Sequence, residues 1–214
     1  MFKHGSLLSG NYWPPRVTSQ RQSTADAGVG KSVLSTQLGL YLPNGSRTLV
    51  YDCFGNGAYR SASGYRHRCR DGLVQLANEL AGESLSQPLI PTSKADPAAY
   101  VRAFLARVEQ AAETLNEHSA DAILCIVIDA ADNAQIAADE VHGGPSFPLL
   151  LLREQWPENA RIVLTARPHR VDMLEPPSTV PRIELEPFSE AETGAHLRSF
   201  FPVATEQDVH ELDL

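Results

Sequence analysis

From residue 31 onward, short apolar runs alternate with stretches in which apolar residues recur every three or four positions. Thr48-Leu49-Val50-Tyr51 predicts a short strand ending at Asp52. Ala122–Ile128 is a continuous apolar run, the mark of a parallel strand buried on both faces, and it ends at Asp129. Arg161-Ile162-Val163-Leu164-Thr165 predicts the next strand, closed by Ala166-Arg167-Pro168, and Arg182–Leu185 a last short one. Between these runs the period lengthens. Lys31–Leu42 reads as a helix with Leu34, Leu38 and Tyr41 or Leu42 on one face, stopped by Pro43-Asn44-Gly45. Leu73, Val74, Leu76, Ala77 and Leu80 mark a short helix. Asp96-Pro97 then gives an N-cap followed by proline at the first helical position. The helix it opens carries Val101, Leu105, Val108, Ala112 and Leu115 as one buried stripe and ends near Glu117–Ser119. Pro148–Trp156 predicts another helix, and the capping box Ser189-Glu190-Ala191-Glu192 opens one that runs to about Phe201.

Strands and helices in alternation predict an α/β fold with a mostly parallel sheet covered by helices on both faces. Ligands in such sheets bind beyond the C-terminal ends of the strands. Asp52, Asp129 and Arg167 all fall at those ends.

The stretch Ala25-Asp26-Ala27-Gly28-Val29-Gly30-Lys31-Ser32, leading into Val33 and Leu34, has the Walker A pattern of a phosphate-binding loop, with alanine in its first glycine position. The backbone N–H groups of Ala27 through Val33 would cradle phosphates, helped by the helix N-terminus. Gly28 and Gly30 permit conformations and close approaches that a Cβ would block. Lys31 would reach the β- and γ-phosphates, and the Ser32 hydroxyl would hold Mg²⁺. Asp129 would hold the metal's water shell opposite Ser32. Asp132 would polarise the water that attacks the γ-phosphate. Arg167 would contact the γ-phosphate through a guanidinium that stays charged and forms forked hydrogen bonds. The bland alternatives are a turn cap for Asp129, an ordinary loop carboxylate for Asp132 and a solvated arginine for Arg167.

One element is hard to find. The strand that feeds a phosphate loop is normally a buried Val/Ile/Leu run, yet Val17-Thr18-Ser19-Gln20-Arg21-Gln22 is polar. Either this strand is unusually polar, or the true one was lost through truncation, a misassigned start or a frameshift; loss is the expectation adopted. The domain reading is therefore a poorly structured segment over 1–24, a nucleotide-binding domain over 25–187, and the start of a truncated helical subdomain over 188–214.

Charge and cysteine usage narrow the partners. With 18 Lys+Arg against 26 Asp+Glu among 214 residues, the net charge is -8, which argues against nucleic acid or an anionic membrane as the main partner. Arg60, Arg66, Arg68 and Arg70 nevertheless cluster with His67; they would bind a nucleotide, nucleic acid or an acidic surface, or else form a solvated loop. Three scattered cysteines without metal spacing suit a reducing cytoplasm. The apolar runs are too short to span a bilayer.

Taken together, Ala25–Ser32, the strand ending in Asp129-Ala130-Ala131-Asp132, and Arg161-Ile162-Val163-Leu164-Thr165-Ala166-Arg167-Pro168 resemble the STAND class of P-loop NTPases, nearest its NACHT-type branch. Ile183–Ser189, leading into the capped helix, is similar to that family's exit from its nucleotide domain. Tyr51–Gly57 with Gly72–Ala81 is similar to bacterial ATP-binding members. The resemblance covers about residues 25–200. It implies the three-layer P-loop NTPase fold and an ATP- and Mg²⁺-dependent switch that assembles as a homo-oligomer through its NTPase domain. It places Lys31 on the phosphates, Ser32 and Asp129 on Mg²⁺, Asp132 on the catalytic water and Arg167 on the γ-phosphate. Ala25, Asn133 in a position often acidic, and the unrecognised first strand depart from the pattern. These departures support a rival reading: an inactive fragment that serves as an interaction module or is a decayed gene product.

Overall fold

The computed structural model describes residues 20–24, 30–60, 65–141, 144–186 and 189–208. Its sheet has five parallel strands, β1 (Gln20–Thr24), β2 (Arg47–Asp52), β3 (Leu124–Asp129), β4 (Ala160–Ala166) and β5 (Arg182–Glu184), in the order β2-β3-β4-β1-β5. The helices are α1 (Lys31–Gln37), α2 (Cys69–Gly82), α3 (Pro97–His118), α4 (Ala131–Val141), α5 (Phe147–Leu152) and α6 (Glu190–Phe200).

The expectation that the first strand is lost is corrected by β1. Gln20–Thr24 pairs along its whole length with Gln20 opposite Ile162 and Thr24 opposite Ala166, and its last three residues also pair with β5. Backbone pairing on both sides satisfies the strand whatever its side chains. β1 lies beside β5, whose three residues are all exposed. The sequence QRQST therefore makes an unusually polar strand, the other alternative raised above. The larger of two compact units spans Thr18–Leu185, so it takes in residues that the sequence reading assigned to an unstructured segment; α6 belongs to the other unit.

Period-two alternation sorts the strand residues onto two faces. Leu49, Tyr51, Leu124, Ile126, Ile128, Ile162 and Leu164 join the large core built with α2, α3 and α5. Val50, Cys125, Val127 and Val163 face the other way, where Leu38 and Leu42 from the end of α1 and the 3-10 turn after it (Leu38–Tyr41) pack on them. All six residues of β3 are buried, as its unbroken apolar run requires of a central strand. Asp96 caps α3 by accepting from the Ala99 amide at 2.7 Å, with Pro97 at the first position. α6 opens with the expected capping box, Ser189 and Glu192 each bonding the other's backbone N–H.

Several elements differ from the sequence reading: α5 ends at Leu152 rather than Trp156, and α1 gives way to a 3-10 turn after Gln37. Residues following Asp129 form α4 rather than a loop; its buried positions are mostly alanine, so no large apolar stripe signals it. α2 begins at Cys69, four residues before its first leucine. Among the described residues, no helix is long and apolar enough to cross a membrane.

Candidate functional site

The site forms where the chain changes direction. After β1 it passes through α1 to β2 at the far edge, whereas after β4 it crosses to β5 on the other side of β1. Strand ends separate at such a point and leave a crevice. A cleft of about 620 Å³ opens there, lined by Gly30, Lys31, Ser32, Asp129, Asp132 and Arg167, with Ser35, Asp52, Phe54 and Asn133 among the others. Six residues from three separate stretches of sequence thus meet at one place. Val33 also lines the cleft. Ala27, Gly28 and Val29 lie outside the described residues.

Gly30 precedes α1 with φ 88° and ψ 19°, the left-handed region that favours glycine. It delivers Lys31 and Ser32 as the first two residues of the helix. The Ser32 hydroxyl donates to Asp129 Oδ2 at 2.7 Å across 97 residues of sequence. Asp129 is 7% exposed and closes β3. Its other oxygen, Oδ1, accepts from Thr165 at 2.5 Å and from Ser35 at 3.3 Å. The single Ser35 proton is shared between that oxygen and the Lys31 carbonyl, one turn back at 3.0 Å. A carboxylate and a hydroxyl side by side, held from several directions in an open cleft, are hard oxygen donors of the kind Mg²⁺ takes while keeping several waters. Ser32 and Asp129 therefore fit that ion. Among the described residues there is no cluster of three or more His, Cys, Asp or Glu that would suit a more heavily chelated metal.

Asp132 sits in the first turn of α4 with only 1% exposure. Burial pushes its pKa above the ordinary 3.8, against the opposing pull of the Arg167 and Arg170 guanidiniums. Arg170 stands 3.6 Å from Asp132 Oδ2, close enough for an ion pair but beyond hydrogen-bond reach. A buried carboxylate with raised basicity beside a phosphate-sized cleft is suited to taking a proton from water.

Other assignments change. Asp52 lies beside Asp129 in the β2–β3 register, but its carboxylate is spent on the turn that follows, accepting from the Phe54 and Gly55 amides at 2.7 and 2.8 Å. Within the arginine cluster, Arg70 is exposed, whereas Arg66 and Arg68 are half-buried against aromatic rings. Arg66 lies 4.8 Å from the centre of the Tyr51 ring and donates to the Asp52 carbonyl; Arg68 stacks 3.6 Å from the Tyr65 ring. Cys53, Cys69 and Cys125 are buried thiols, and burial raises their pKa values, to about 11 for Cys69 and about 12 for Cys125, which makes them poor nucleophiles. Ser35, Thr165 and Arg170 were not singled out in the sequence. The available signals were a serine one helical turn after Lys31 and a threonine interrupting an apolar strand two residues before Arg167.

No family model matches the chain, and no curated protein matches it. Among solved structures it is similar to the Aeropyrum pernix Orc1 protein in complex with DNA, with a TM-score of 0.50 and 10% sequence identity over 87% of this chain. The match covers 44% of that protein, so this chain spans less than half its length. At such identity the likeness concerns the fold alone. The parallel sheet with its helices matches a P-loop NTPase-like fold. The expectation that nucleic acid is not a partner rests on net charge and gains no support from a neighbour solved on DNA.

Proposed function

We propose that this chain is an ATP-binding, slowly hydrolysing switch domain of the STAND class and NACHT type, working in the cytoplasm and assembling through its nucleotide-binding domain. The observation that carries the reading is the 2.7 Å hydrogen bond between Ser32 and Asp129, which joins the residue after the loop lysine to the acidic end of a buried central strand. Arg167 at the exit of the neighbouring strand and the resemblance of the three stretches to that class supply the finer assignment.

In this reading Lys31 and the amides at the start of α1 bind the phosphates, assisted by the helix dipole. Ser32 and Asp129 hold Mg²⁺, which when bound neutralises phosphate charge. Asp132 orients the attacking water and takes its proton, and Arg167 contacts the terminal phosphate. The burial of Asp132 favours turnover near neutral pH, because it raises the basicity of a carboxylate that would be a weak base in water.

Binding of fluorescent ATP in Mg²⁺, compared with Lys31→Ala, tests the assignment. We expect at least a tenfold loss of affinity in the variant, about 1.4 kcal/mol or more; equal binding by both proteins at micromolar ATP would overturn it. The rival reading, an inactive interaction module, drew part of its motive from a missing anchor strand, and β1 removes that part.

A further inference from the structure

We propose that Thr165 is a positioning residue that aims Asp129 at the cation, so that the Mg²⁺ dependence of nucleotide binding rests on a hydroxyl from β4. The inference rests on the nucleotide-site reading above and deepens it.

The Thr165 hydroxyl is 1% exposed and does two things at once. It donates to Asp129 Oδ1 at 2.5 Å, and it accepts from the Ala130 amide at 2.9 Å. Ala130 holds a left-handed backbone at φ 54°, uncommon for a residue with a Cβ. That conformation turns the chain from β3 into α4 immediately after the carboxylate. One hydroxyl therefore fixes both the side chain of Asp129 and the backbone turn behind it. A hydroxyl has one proton to give and lone pairs to receive, so both contacts are made together without competition.

The two carboxylate oxygens are held in different ways. Oδ1 is fixed from two elements, by Thr165 on β4 and by Ser35 on α1. Oδ2 takes its hydrogen bond from Ser32, the residue read as the second metal ligand. A bound cation would take a lone pair of the Ser32 hydroxyl, whose proton can stay on Oδ2. Thr165 and Ser35 would keep the carboxylate plane fixed, with Oδ2 on the Ser32 side. Thr165 also lies two residues before Arg167 on the same strand exit. The strand that carries the arginine facing the phosphate thereby also sets the carboxylate facing the metal.

Groups that orient a metal ligand typically contribute about 10- to 100-fold in metal affinity. The test compares nucleotide affinity with Mg²⁺ and in EDTA for wild type, Thr165→Val and Thr165→Ser, together with the thermal melt of each. Valine keeps the shape and removes the hydroxyl; serine keeps the hydroxyl. We expect the affinity gained from Mg²⁺ to fall about tenfold or more in Thr165→Val and to stay within about threefold of wild type in Thr165→Ser, with affinity in EDTA equal in all three. A folded Thr165→Val that retains the full Mg²⁺ gain overturns the proposal, as does a Thr165→Ser that loses it. If Thr165→Val does not fold, Thr165→Ala, which also removes the hydroxyl, is compared with Thr165→Ser in the same way. A loss of about tenfold or more of the Mg²⁺ gain in the alanine variant then supports the proposal and an unchanged gain overturns it. Wild type that binds no nucleotide under either condition would instead overturn the site reading itself.

Discussion

At the residue scale, Asp132 is where burial and function oppose each other. The folded chain holds its proton more tightly than the unfolded chain does, because desolvation raises its pKa above 3.8. Folding therefore takes up protons in the window above that value, and the contribution of Asp132 to stability falls as pH rises through it. Asp132→Asn removes the buried charge while keeping the shape. The variant is expected to melt at or above the wild-type temperature at pH 7, and the wild type should lose ground to it as pH is raised from about 4, which parallel melts across pH will show. Hydrolysis by the same variant should fall by roughly a hundredfold, the usual scale for a lost general base, with ATP binding changed by less than about threefold. A variant that hydrolyses ATP at the wild-type rate would place the base elsewhere.

At the element scale, the packing of α2 against α5 has no slack. A Cβ built on Gly72 would stand 2.5 to 2.9 Å from three atoms of the Phe147 ring. That ring is fully buried and meets Tyr51 edge-on at 5.3 Å between centroids, so it has nowhere to retreat. Gly72→Ala gains up to about 1 kcal/mol of helix propensity but forces an overpacked contact costing about 1–3 kcal/mol. A net loss of about 1 kcal/mol is expected, seen as a fall in melting temperature of about 2–4 °C; an unchanged or higher melting temperature would show that the core adjusts.

The same element scale explains what was legible in the sequence. β3 and β4 announced themselves because central strands buried on both faces need unbroken apolar runs, and α3 because a 22-residue helix repeats its stripe many times. β1 was illegible because its residues are polar and its pairing is a backbone property. α4 was illegible because alanine fills its buried face without marking it. Arg66 and Arg68 read as a charge cluster, since sequence spacing does not disclose that Tyr51 and Tyr65 lie under their guanidiniums. Thr165 was overlooked for a similar reason: its role depends on where β4 stands relative to β3, which no local pattern encodes.

At the scale of the whole molecule, the strand order brings the start of α1 and the ends of β3 and β4 to one cleft. A ligand that binds only the folded form stabilises it in proportion to RT ln(1 + [L]/Kd), about 2.7 kcal/mol at a hundredfold excess over Kd. The thermal melt of residues 1–214 with and without Mg-ATP tests the central claim most directly. Nucleotide binding at this cleft predicts a melting temperature that climbs with Mg-ATP concentration, by about 5 °C or more near saturation, and does not climb in Lys31→Ala. A cooperative melt that Mg-ATP leaves unmoved in the wild type would contradict it.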